Sequence, residues 1–113
     1  MKGKRMRSTL IVARMKPTAA VDVKRIFAES DAGDLPHLIG VKERRLFRFH
    51  DLYLHYMASD EDVRGPISDM KGHDLFVDVS ERLSPHIAAY DPDTWRGPQD
   101  AMAHEFYTWH ADG

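Results

Sequence analysis

No cysteine occurs among the 113 residues. That absence removes disulfide frameworks, thiol nucleophiles and thiolate metal sites, and it fits a reducing compartment. Surplus positive charge is missing too: 16 Lys and Arg stand against 18 Asp and Glu, a formal net charge of −2. A general nucleic-acid binder needs a basic surface to displace counterions from phosphates, so no nucleic-acid partner is expected. The one basic cluster, Lys2, Lys4, Arg5 and Arg7, reads as a solvated, flexible start covering residues 1–7. Long apolar runs are also lacking. "LIVA" is four residues long before Arg14 and Lys16 interrupt it, far short of the roughly 7–15 residues of a secretory core or the roughly 20 of a membrane span. We expect a cytoplasmic protein with no membrane partner.

Several chemistries lack their sequence frames. The seven glycines are scattered, so no glycine-rich loop cradles a phosphate. No serine sits in a G-x-S-x-G elbow. Seven histidines and many carboxylates are available for a metal, but there is no H-E-x-x-H and no carboxylate-rich loop. His50 and His55 are five apart in number and separated by a turn, so the expectation is no metal site.

What is present is an ordinary globular composition, 42% hydrophobic, 30% charged and 10% aromatic. The length suits one cooperative domain spanning residues 1–113. "STLIVARM" (Ser8 to Met15) is rich in β-branched and aliphatic residues and stops before Pro17, which predicts a largely buried strand. From Thr18 to about Asp31, Val23, Ile26 and Phe27 share a helical face whose continuation meets Ser30 and Asp31. "DAGDLPHLIG" (Asp31 to Gly40) has the punctuation of a connection. Val41 to Phe49 and Leu52 to Ala58 predict two strands, and "SDEDV" predicts a helix opening capped by Ser59 or Asp60. That helical region is expected to break near Gly65-Pro66 and again at Gly72. It resumes with Leu75, Phe76, Val79 and Leu83 on one side and ends before Pro85. After a loop at Tyr90 to Asp100, "AMAHEFYTWH" (Ala101 to His110) predicts a closing strand. The order is βαββαβ, the α+β ferredoxin-like sandwich: a four-stranded antiparallel sheet with both helices on one face. The other face is left bare, and a bare apolar face invites a second copy, so a homodimer is expected.

The richest stretch is "LFRFHDLYLHYM", residues 46–57. A two-residue turn at His50-Asp51 sets Phe49 opposite Leu52, Arg48 opposite Tyr53, Phe47 opposite Leu54, Leu46 opposite His55, Arg45 opposite Tyr56 and Arg44 opposite Met57. One face then carries Phe47, Phe49, Leu52, Leu54 and Tyr56. The other carries Arg44, Leu46, Arg48, Tyr53, His55 and Met57, with Arg44 and His55 diagonal neighbours able to share a small ligand. Those residues admit two readings. His55 is a satisfied strand histidine, Arg44 a solvated edge charge and Asp31 a helix-end carboxylate; or the three meet at a pocket as proton carrier, permanent cation and base.

A resemblance supports the second reading. The segments "RMKP", "LPHLIGVKERRLFRFHDLYLHYM", "HDLFVDVSERL" and "YDPDTWRGPQDAMAHEFYTW" closely resemble the tetracenomycin-type aromatic polyketide cyclases of type II pathways, over about Thr9 to His110. "LFRFHDLY" and "FYTW" stand at the family's distances. The resemblance implies a dimeric α+β barrel with a cavity between sheet and helices. It implies ring closure of a poly-β-ketone, or of a partly cyclised intermediate, by intramolecular aldol condensation and dehydration, without metal or organic cofactor. The substrate would come free or on an acyl carrier protein. The family's proton-transfer and charge-stabilising positions fall on Asp31, Arg44 and His55. Ser30, Arg48, Tyr53, Met57, Phe76 and Trp109 are the expected substrate contacts. Ser30 stands where family members can carry a histidine, so that imidazole's role does not transfer. The same architecture also hosts cofactor-free monooxygenases, and a non-catalytic polyketide chaperone is a third alternative.

Overall fold

A computed structural model of the chain describes residues 6–111. Most of the basic start therefore lies outside the described residues; Arg7 begins the first strand. The elements are β1 (Arg7–Met15), a 3-10 turn (Pro17–Ala19), α1 (Ala20–Asp31), α2 (Leu35–Ile39), β2 (Val41–Phe49), β3 (Leu52–Ser59), α3 (Arg64–Met70), α4 (Asp74–Leu83), β4 (Ile87–Ala89) and a second 3-10 turn (Pro98–Ala101). The sheet order is β2-β3-β1-β4 with every pair antiparallel, the ferredoxin-like arrangement expected from the pattern.

Pro17 starts the chain's first helical turn, where a missing N–H costs nothing. Val23, Ile26 and Phe27 then form the buried face of α1, each burial contributing about 1.5–3 kcal/mol. Arg82 on α4 pairs with Glu29 on α1, tying the two helices together across their solvent side. The hydrogen bond from Arg82 holds the Glu29 carboxyl below the usual carboxylate range. His73 caps α4, its Nδ1 accepting from the Leu75 N–H at 3.1 Å.

The β2–β3 register matches the expected pairs from Arg44↔Met57 to Phe49↔Leu52. Its turn has no glycine, and His50 takes a positive φ of 55°. Neighbouring bonds hold that conformation: the Met15 N–H donates to Asp51 O at 2.8 Å, and Arg14 pairs with the Asp51 carboxylate at 3.1 Å. At the other end of the hairpin the ladder shifts between Val41 and Glu43, leaving Lys42 as the extra residue of a bulge.

Four expectations need correction. The Asp31–Gly40 connection contains a short helix, α2, which ends at Gly40 with φ +96°, a conformation that favours glycine. The helix after β3 begins at Arg64, not in "SDEDV": the Ser59 hydroxyl turns to the Glu61 carbonyl, and Asp62 Oδ1 accepts from the Arg64 N–H at 3.0 Å. The expected break near Gly65-Pro66 does not occur, because both residues lie in the first turn of α3, where proline is tolerated, whereas the expected break at Gly72 is present between Met70 and Asp74. The fourth strand is Ile87–Ala89, and "AMAHEFYTWH" does not form a strand. Only Ile11↔Met102 bridges, with the Ala103 N–H donating to Leu10 O at 2.7 Å, because β4 is short and leaves this stretch of the β1 edge open. Beyond it the chain runs exposed.

The helices cover the sheet face of Ala13, Met15, Tyr53, His55 and Met57, all buried. Core residues gather in two clusters, one around Val23 and Phe27 of α1 and the other around Val63 and Ile67 near α3. Among the described residues no helix is long and apolar enough to cross a membrane.

Candidate active site

A cavity of about 510 Å³ opens where the two core clusters meet. It persists because several positions facing it are too small to fill it: Ala13 on β1, Ser30 on α1, Ser80 and Ser84 on and after α4, and Ala89 on β4. The volume is that of a small-molecule site, and the walls are predominantly apolar. Trp95 and Pro98, from the loop after β4, close one side.

The polar groups concentrate at the sheet wall. Arg44 faces the cavity from β2, and so does Val41, three residues earlier. Strict alternation would put residues three apart on opposite faces; the bulge at Lys42 restores both to the inner one. The Arg44 side chain is only 13% exposed. Its Nε and Nη2 donate to the Asp31 carboxylate at 2.9–3.1 Å, and its Nη1 lies 2.7 Å from His55 Nε2. The guanidinium also lies over the Phe27 ring at 4.8 Å, a cation–π contact.

His55 is 5% exposed. Phe27 meets its ring edge to face at 5.0 Å, and Tyr53 Oη lies 2.9 Å from its Nδ1. Burial pushes the His55 pKa down to about 3, and the neighbouring Arg44 charge acts in the same direction. Burial likewise raises the Tyr53 phenol above its ordinary value. At neutral pH the cluster therefore holds one carboxylate, one guanidinium, a neutral imidazole and a neutral phenol, in line as Asp31, Arg44, His55 and Tyr53.

Of the residues singled out from sequence, the structure brings Ser30, Arg44, Tyr53, His55, Met57 and Phe76 to this one cavity. Asp31 joins through Arg44 from the rim, its side chain 38% exposed. Arg48 does not: it is exposed at the hairpin tip, where its Nη1 reaches the His50 carbonyl at 3.5 Å. Trp109 does not either. It is 71% exposed on the segment after Met102, since the expected closing strand is not formed. Residues not anticipated include Phe27, which packs against both Arg44 and His55, and the hydroxyls of Ser80 and Ser84. Their signal was present. Phe27 precedes Ser30 by three on the apolar stripe of α1, and Ser80 interrupts the Phe76, Val79, Leu83 stripe of α4 at helical spacing. Among the described residues no group of three or more His, Asp or Glu side chains is placed to hold a metal ion.

Comparison with known proteins gives this arrangement a context. The family model described as "Polyketide synthesis cyclase" matches residues 7–110. An uncharacterized protein of Streptomyces coelicolor is 59% identical over 105 residues, 92% of this chain and 95% of that one. Polyketide synthase CurG of Streptomyces cyaneus is 44% identical over 107 residues, covering 95% of this chain and 100% of its own. Tetracenomycin F2 cyclase of Streptomyces glaucescens is 42% identical over 102 residues, 90% of this chain and 93% of that one. The solved structure of that enzyme, a type-II polyketide cyclase, superposes with a TM-score of 0.89 at 40% identity, covering 94% of this chain and 99% of the other. Sequence and backbone thus agree together over almost the whole of both molecules, more than a shared fold requires, and this chain belongs to the polyketide synthesis cyclase family.

Proposed function

We propose that the protein closes a ring of a poly-β-ketone, or of a partly cyclised intermediate, by intramolecular aldol condensation and dehydration. The observation that carries this reading is the Asp31–Arg44–His55 chain, which runs from the rim to the buried sheet wall of a predominantly apolar cavity. A carbon flanked by two carbonyls is already acidic, so a modest base suffices. The larger task is to hold one fold of a flexible chain against competing closures. The apolar walls, with Phe76 and Met57, do the holding.

Arg44 has two N–H groups not committed to Asp31 or His55, and these polarise the accepting carbonyl and stabilise the alkoxide that forms. Asp31 is the proton acceptor in this scheme: it is the cluster's one anionic group and keeps a lone pair beyond those Arg44 occupies. His55 holds Arg44 in place from within the sheet. The carbon proton goes to Asp31, the new C–C bond places charge on the carbonyl oxygen, and the proton returns to that oxygen; a second proton from the same carbon then passes to Asp31 and on to the departing hydroxyl, so that the C=C bond forms as the C–O bond breaks and water leaves. No net oxidation occurs.

The active unit is proposed to be a homodimer in the cytoplasm. The outer sheet face supports this, with Phe47 and Phe49 exposed beside Leu10, Val12 and Leu54; the exposed Phe106 and Tyr107 add further uncovered apolar surface. Reconstitution with a minimal polyketide synthase tests the activity. Addition of the protein should convert the spontaneous product mixture into one predominant cyclised product, with no oxygen consumed. An unchanged mixture would leave only a binding role, and oxygen-dependent product formation would mark a monooxygenase.

A further inference from the structure

The hydrogen-bond chain through His55 fixes where its protons are. A guanidinium can only donate, so the 2.7 Å contact from Arg44 Nη1 requires a bare lone pair at His55 Nε2. A neutral imidazole with a bare Nε2 carries its hydrogen on Nδ1. The doubly protonated ring is excluded by the same contact, which would set N–H against N–H, and burial disfavours that form independently. Nδ1 lies 2.9 Å from Tyr53 Oη, so Nδ1–H donates and the phenol oxygen accepts. The phenolic hydrogen is left over. Tyr53 Oη makes no second hydrogen bond among the described residues, and Tyr53 lines the cavity beside Arg44 and His55.

A hydroxyl that has accepted one hydrogen bond and has not yet donated its own is a prepared donor. Accepting from Nδ1–H also polarises the O–H, since bonds in such a chain reinforce one another. Its raised pKa keeps it protonated at neutral pH, so it serves as donor and not as base.

We propose that Tyr53 is a catalytic residue of the ring closure, its phenol O–H donating to the carbonyl oxygen that becomes the alkoxide when the C–C bond forms. His55 is then a positioning residue, whose lone pair orders Arg44 and whose N–H orders Tyr53. The electrons of the carbonyl π bond move onto oxygen as the enolate carbon attacks. Tyr53 and Arg44 stabilise that charge from the protein side, and no proton leaves the tyrosine overall. The inference rests on the cyclase reading for the reaction, but its premise about His55 stands on the geometry alone.

Two measurements test it. In 15N-labelled full-length protein at neutral pH, His55 should show Nδ1 protonated and Nε2 bare; a ring protonated at Nε2 overturns the proposal whatever the reaction. In the minimal-synthase assay Tyr53→Phe, which keeps the ring and its packing, should lower kcat on the order of a hundredfold with KM changed less than about threefold. Wild-type cyclisation with Tyr53→Phe retaining kcat within about threefold overturns the role of Tyr53 and leaves the cyclase reading intact. A product mixture unchanged by the wild-type protein overturns both.

Discussion

The two faces of the β2–β3 hairpin are built from alternate residues of the same strands, yet they meet opposite fates. On the inner face Tyr53, His55 and Met57 are buried, and the polar groups of the cluster pair in line, carboxylate with guanidinium, guanidinium with imidazole, imidazole with phenol, leaving the Tyr53 O–H and two Arg44 N–H groups uncommitted. On the outer face Phe47 and Phe49 are 53% and 63% exposed, although they are as apolar as anything in the core. Buried polar groups that satisfy each other are costly to assemble and need a reason beyond stability. Exposed phenylalanines in a row also need a reason, and it is a different one. On the proposed reading the first face is organised for chemistry on a ligand and the second for contact with another surface.

The sharpest way to break the inner face is to remove its centre. Arg44→Ala leaves the Asp31 carboxylate and His55 Nε2 without their donor, and cyclisation should fall by about 10²–10³, measured as product formed with a minimal synthase. Arg44→Lys should recover little of this, since one ammonium cannot bond Asp31 bidentately and reach His55 as well. Activity within threefold of wild type in both variants would reduce the cluster to a structural role. The outer face should respond differently. Phe47→Ser combined with Phe49→Ser should weaken self-association on the order of a hundredfold by analytical ultracentrifugation. The far-ultraviolet circular dichroism should stay unchanged, because neither ring belongs to the buried core.

That contrast was legible in sequence because the hairpin obeys a strict period of two from Arg44 to Met57, and one turn placement fixes every pair. The turn itself gave little help. His50 and Asp51 are poor residues for it, and contacts from Arg14 and Met15 of β1, distant in sequence, stabilise it. The bulge at Lys42 left no local mark, so the arrival of Val41 and Arg44 on one face was not readable from alternation. The C-terminal stretch misled for the opposite reason. Its aromatics have strand propensity, but strand formation depends on finding a partner edge, and the described chain offers "AMAHEFYTWH" only one bridge at Met102. The short "IAA" at residues 87–89, with no alternation to read, took the edge instead. Asp31 and Arg44 are 13 residues apart and their pairing is tertiary, so the α1 stripe pointed toward the sheet without naming the partner.

The smallest expected effect concerns stability and again separates the faces. His55 stays neutral in the folded chain down to about pH 3, whereas unfolded it titrates near 6.5. Below pH 6.5 the unfolded chain binds a proton that the folded chain refuses, so this contribution to stability is fully present above 6.5 and is lost as pH falls toward 3. The slope is at most about 1.4 kcal/mol per pH unit, and from pH 6.5 to about pH 5 the loss should reach between about 1 and 2 kcal/mol. Over that range most carboxylates remain ionised, and the other histidines are common to wild type and variant. His55→Gln, whose amide oxygen can still accept from Arg44, removes the titrating group and should flatten the dependence by that amount in urea unfolding at the two pH values. The Phe47→Ser, Phe49→Ser protein should keep the wild-type slope, since the outer face holds no part of the buried cluster. An equal pH dependence in wild type and His55→Gln would mean that the imidazole is not held neutral, and the proton assignment along the Asp31, Arg44, His55, Tyr53 line would fall with it.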